Sequence, residues 1–201
     1  QGSDPVIGSS TVAVAKSVEV QTGAQLTIES GASLDVDFSD KIGITNEGTV
    51  NNSGAIDLDG PISILDTKGI RNTGTFNNFA GATISIDQLI AWPSGFGDGI
   101  STASGSTFNN SGTIVIGADF PVEYGIYSIG IFNNLPGGQL IIDRIEEAGI
   151  TVELGGEFSN EGAITIGSIA PVQWPVKNLN IFENKPGGTL SIENSIGSAI
   201  Q

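Results

Sequence analysis

Residues 106–116 read Ser-Thr-Phe-Asn-Asn-Ser-Gly-Thr-Ile-Val-Ile, and residues 130–142 read Gly-Ile-Phe-Asn-Asn-Leu-Pro-Gly-Gly-Gln-Leu-Ile-Ile. A bulky apolar residue is followed by a polar one, an Asn, a Gly-bearing turn and then x-Ile-x-Ile. Working outward, the same order recurs at 48–58 (GTVNNSGAIDL), 74–86 (GTFNNFAGATISI), 156–166 (GEFSNEGAITI) and 180–192 (NIFENKPGGTLSI). The bulky position falls at Val50, Phe76, Phe108, Phe132, Phe158 and Phe182, at intervals of 26, 32, 24, 26 and 24 residues. A second apolar column precedes it, mostly as Gly-Ile, at Ile44, Ile70, Ile100, Ile126 and Ile150, with Val176 as its sixth member. Upstream, Val18/Val20, Leu26/Ile28 and Leu34/Val36 fill the same three columns, with Val20 placed 24 residues before Ile44.

Within each piece the apolar period is two, as in Ile84/Ile86, Ile114/Ile116, Leu140/Ile142 and Ile164/Ile166. That spacing buries one face of a strand. Gly and Asn interrupt every few residues, which leaves no room for helices of useful length. Short strands of this kind cannot bury their apolar faces singly, but coils stacked on coils can. The sequence therefore predicts an all-β parallel β-helix (β-solenoid) with three strands per coil, in about seven coils of roughly 24–26 residues. Each strand pairs with its equivalent one coil away, at about 4.8 Å.

Asn52, Asn78, Asn110, Asn134, Asn160 and Asn184 occupy the position two residues after the bulky one in all six repeats. Asn is a poor strand residue, but its amide carries donors and acceptors that can link identical neighbours at strand spacing. An internal Asn ladder at one corner is expected. The alternative is turn chemistry with the amides in water.

These repeats resemble those of right-handed parallel β-helix proteins of the pectate-lyase-like architecture, which also use Asn ladders. The opening SVEVQTGAQLTIESGASLDV and STFNNSGTIVI are similar to repetitive regions of large secreted or surface-attached bacterial proteins, including adhesins. The resemblance covers roughly residues 15 to 201. It implies a right-handed solenoid, an extracellular or bacterial cell-surface location, and an extracellular glycan or surface protein as partner. Fold does not imply activity, since this architecture hosts enzymes and passive stalks alike.

Coil length varies chiefly between the second Ile of x-Ile-x-Ile and the next Gly-Ile. Insertions at one point of a solenoid emerge on one face, often the binding face. Here they carry Trp92, Phe96, Phe120, Tyr124 and Trp174, the candidate binding residues. Such rings can stack on sugars or grip a partner. Alternatively, they fold back and cover the sheet.

Asp59 and Asp87 stand at equivalent points of adjacent coils, where like charges repel. A Ca²⁺ ion between them would relieve this, but no calcium-loop motif is present, and a solvated acidic face is the preferred reading. No other cofactor is expected.

The chain has 201 residues, with 7 Lys+Arg against 22 Asp+Glu, a net charge of −15, and no His, Cys or Met. Thiol and imidazole chemistry, the usual zinc sites and disulfides are thereby excluded. So acidic a chain repels phosphate backbones, and nucleic acid is not an expected partner. No apolar run approaches about twenty residues, so no direct membrane insertion is expected. Carboxylate pairs can hydrolyse glycosides, but no pair stands out and the seven cations are scattered, so no catalytic residue is assigned. The expectation is a non-enzymatic structural or adhesive module presenting loops on one face. The alternative is a carbohydrate-binding or carbohydrate-degrading β-helix.

Residues 1–10 are expected as a flexible lead or remnant. Residues 11–201 are expected as one β-helix domain, cut from a longer chain, with an extra strand over 11–17 on its first coil. Open coil edges could associate end to end.

Overall fold

The computed structural model describes residues 4–61, 66–89 and 97–200. The alternating segments form three parallel sheets, each strand pairing with the equivalent strand of the coil before and after. The first sheet has eight strands, among them Thr75–Asn78, Thr107–Asn110, Ile131–Asn134 and Glu157–Asn160. The x-Ile-x-Ile segments make a second eight-stranded sheet, which includes Ala55–Asp59, Thr83–Asp87, Thr113–Ile116 and Gln139–Ile142. The Gly-Ile segments make a third sheet of seven strands, among them Thr67–Asn72, Gly97–Thr102, Val122–Ser128, Ile145–Val152 and Trp174–Asn178. The chain is an all-β parallel β-solenoid. Inside the stretch expected as a flexible lead, Val6–Ile7 pairs with Gln25–Ile28, and within the strand expected over 11–17, Val12–Ala15 pairs with Ser33–Asp37.

Register follows the repeat. Phe76, Phe108, Phe132, Phe158 and Phe182 stand directly opposite one another on successive coils. Their rings stack nearly parallel, with centroids 4.6, 4.9, 4.9 and 5.1 Å apart. The first four are fully buried, and the Ile columns of the other two sheets complete the core. One pairing differs from expectation. Val18, not Val20, lies opposite Ile44, and Val20 lies opposite Asn46. The true interval is 26 residues. Val18 and Val20 are both apolar positions of one alternating strand, so composition alone does not choose between them.

The Asn column is an internal hydrogen-bonded ladder. Asn52 Nδ2 donates to Asn78 Oδ1 at 2.8 Å, and the same link joins Asn78 to Asn110, Asn110 to Asn134, Asn134 to Asn160 and Asn160 to Asn184 at 2.8, 2.8, 2.7 and 2.6 Å. The second amide proton goes to a backbone carbonyl of the next coil, as from Asn160 to Thr189 at 3.0 Å. At Asn52 and Asn160 the acceptor also receives the backbone N–H two residues on, from Gly54 and Gly162. These amides are satisfied without water, which is what makes polar groups tolerable inside a core.

Two further stacks share this logic. Asn46 donates to Asn72 at 2.7 Å at another corner, where Thr102 and Ser128 take over as a hydroxyl pair at 2.8 Å. On the outer face of the first sheet, Asn77 donates to Asn51, Asn109 to Asn77, and Asn133 to Asn109 at 2.9, 2.9 and 3.0 Å. The inner ladder donates toward the C-terminal coils, and the outer one donates toward the N-terminal coils.

Candidate functional site

The Gly of each Gly-Ile pair explains how the third sheet is shaped. A Cβ added at Gly125 would fall 2.4 Å from the Gly149 carbonyl oxygen and 2.9 Å from Ile142 Cγ2. The backbone there is drawn in against the interior and the next coil, which only glycine permits. Two outward rows flank this constriction. The first runs Lys68, Asp98, Tyr124, Ala148, Trp174, and the second runs Arg71, Ser101, Tyr127, Thr151, Lys177.

A cleft of about 390 Å³ opens along these rows, lined by Asp66, Lys68, Asp98, Tyr124, Tyr127, Thr151, Glu153 and Lys177. Its size suits a ring-sized ligand. The Asp98 carboxylate is only 3% exposed and pairs with the Lys68 ammonium on the preceding coil. Burial pushes Asp98 above the usual carboxylate range, and Lys68 and a hydrogen bond from Ser101 oppose the rise. Burial first, then the negative charges of Glu153 and Asp98, push the pKa of the Tyr127 hydroxyl up. Tyr124 is pushed up to about 12, first by burial and then by Glu147, Glu123 and Asp98. Thr151 is 1% exposed, and its Oγ1 has no hydrogen-bond partner among the described residues. Beside the cleft, Glu123 accepts the Gly97 N–H at 3.1 Å. Burial, then the charges of Glu147, Glu146 and Asp98, lift its pKa to about 7 against that hydrogen bond.

Among the described loop aromatics, Tyr124 and Trp174 share one register row, and Phe120 precedes the strand that carries Tyr124. Phe120 is 49% exposed, Tyr124 lines the cleft, and Trp174 is half-buried against Gly197. Trp92 and Phe96 lie outside the described residues. Tyr127, Thr151, Lys177 and the Lys68–Asp98 pair are site residues that the sequence reading did not single out. Columns in the third sheet carry the signal, since Tyr127, Thr151 and Lys177 fall in one register row.

The acidic column has a structural use. Asp59 and Asp87 do stand opposite each other, with Asp37 on the coil before. Asp87 is only 7% exposed, and its Oδ1 accepts the backbone N–H groups of Asp119 and Phe120 at 3.1 and 3.2 Å. Asp143 does the same two coils further on. It accepts the Ser168 hydroxyl at 2.5 Å and the Ile169 N–H at 2.7 Å. In each case the accepting Asp staples the loop that follows a glycine of positive φ, Gly117 or Gly167. Burial raises the pKa of Asp87, and its two backbone hydrogen bonds oppose the rise. In Asp59, burial and the charges of Asp57, Asp87, Asp37 and Asp119 all raise it. Among the described residues no group of three His, Cys, Asp or Glu is arranged to hold a metal ion.

The three sheets and the stacked columns define the class of this protein as a parallel β-solenoid. Compared with known proteins, the chain matches no family model, no curated protein and no solved structure.

Proposed function

We propose that this chain is a non-enzymatic structural and adhesive module of a secreted or cell-surface bacterial protein, a stiff rod that presents loops along one face to an extracellular glycan or surface protein. The observation that carries this reading is the unbroken stacking of Phe76 to Phe182 beside the Asn52 to Asn184 ladder. Identical contacts on successive coils resist bending, and they leave length variation to the segments between the second and third sheets. The likeness of the repeats to those of bacterial surface proteins supports the location.

A second reading is a carbohydrate-binding or carbohydrate-degrading solenoid. The cleft beside Tyr124 and Tyr127 favours it, because aromatic rings next to paired charges suit a sugar.

A reducing-sugar release assay over a polysaccharide panel, run beside an immobilised glycan array, separates the two. The rod reading expects no turnover. Turnover abolished by a carboxylate substitution such as Glu153→Gln or Glu123→Gln overturns it. Glycan capture without turnover supports an adhesive module.

A further inference from the structure

We propose that the cleft on the third sheet is a binding site for a neutral saccharide, with the Tyr127 ring as its floor and the Thr151 hydroxyl as a hydrogen-bonding contact to the sugar. This deepens the carbohydrate-binding reading and rests on it, but it places the ligand on the sheet and not on the exposed loop aromatics.

Four observations converge. First, Thr151 is among the residues lining the cleft, and its Oγ1 is buried with no partner among the described residues. A buried hydroxyl left unpaired costs free energy that a ligand hydroxyl would recover. Second, Tyr124 and Tyr127 are half-buried on adjacent register rows, giving an aromatic surface for the C–H face of a pyranose. Third, donors and acceptors alternate along the cleft over five successive coils, about 19 Å at strand spacing, a span that suits an oligosaccharide. The Lys68–Asp98 pair spans one end, and Lys177 follows Thr151 in register. Glu153 lies alongside. A polyol, in which each hydroxyl both donates and accepts, matches such a set. Fourth, the acids outnumber the bases. Asp66, Asp98 and Glu153 face Lys68 and Lys177, on a chain of net charge −15. That field disfavours uronates and other anionic sugars.

The test titrates the full chain with neutral gluco-, manno-, galacto- and xylo-oligosaccharides, and with oligogalacturonate as the anionic control. At least one neutral probe should bind and the control should not. Thr151→Val removes a hydroxyl without a protein partner, so the thermal midpoint should hold or rise while affinity drops by about fivefold, the loss of one hydrogen bond. Tyr127→Ala should weaken binding by about tenfold through loss of the stacking ring, and Phe120→Ala should leave it unchanged. If no probe binds, this site and the carbohydrate-binding reading both fail. If a neutral probe binds equally well to Thr151→Val and Tyr127→Ala but is lost in Phe120→Ala, sugar binding stands and the cleft assignment falls. Preference for oligogalacturonate overturns the assignment of ligand class.

Discussion

The side-chain amide of Asn134 donates to Asn160 Oδ1 at 2.7 Å while its own Oδ1 receives the Asn110 amide at 2.8 Å. Each is buried, so neither neighbour can turn to water if the link is cut. Asn134→Ala should therefore lower unfolding free energy by about 1–3 kcal/mol. Chemical denaturation is the measurement. A loss near zero would mean that water replaces the missing amide.

At Gly125 the constraint is steric. The Gly149 carbonyl oxygen and Ile142 Cγ2 occupy the space a methyl group would need. Gly125→Ala should cost about 1–3 kcal/mol by forcing coils apart. Gly137, where φ is +85° and nothing lies within 4 Å of an added Cβ, gives a comparison without steric conflict. There the cost is backbone strain alone, about 1–2 kcal/mol.

Two aspartates of the same column, Asp143 and Asp59, carry opposite predictions. Asp143→Ala strips acceptors from the Ser168 hydroxyl and the Ile169 N–H and should destabilise by about 1–3 kcal/mol. Asp59→Ala removes an exposed carboxylate with acidic neighbours and should be neutral or stabilising. Because Asp87 is committed to two backbone donors, millimolar Ca²⁺ should leave the melting temperature unchanged. A calcium-dependent rise that disappears in Asp59→Ala would restore the bridging-ion alternative.

Stability should fall as pH rises through neutrality. Glu123 has a folded pKa of about 7 against 4.5 for the free side chain. Protonated Glu123 favours the fold, so its contribution is fully present below about 4.5 and is lost as pH rises through about 7. The raised values of Asp59, Asp87 and Asp98 act in the same direction. Thermal melts between pH 4.5 and 8 should show this slope, and Glu123→Gln should flatten it. An unchanged slope in that variant would assign the effect to the other acids.

The first two sheets were legible because their strands keep a strict alternation and repeat the same residue types. Phe108 needs no partner information to be placed inside, whereas Asn110 fits an internal ladder or a wet turn until its amide partners are known. The third sheet was less legible for a physical reason. Gly125 and Ile126 are both buried, so the period of two breaks there, and Tyr127 cannot be assigned a face from alternation alone. Thr151 is ordinary in sequence. Its interest comes from a buried hydroxyl with no protein partner, which only coordinates display. The role of Asp143 was hidden because its partners sit on the next coil, in a segment whose length varies between repeats. In contrast, Val18 and Val20 show where alternation is fully visible and register is still ambiguous.

The inner amide ladder has a sense, since every Asn from 52 to 160 offers its N–H toward the later coil and every Asn from 78 to 184 accepts from the earlier one. Two such surfaces related by a two-fold axis would bring donor to donor and oxygen to oxygen. An interface that reuses this chemistry must be heterologous, its two sides related by translation along the axis. Growth of the rod by further coils, in one chain or between chains, is vectorial and never closes on itself.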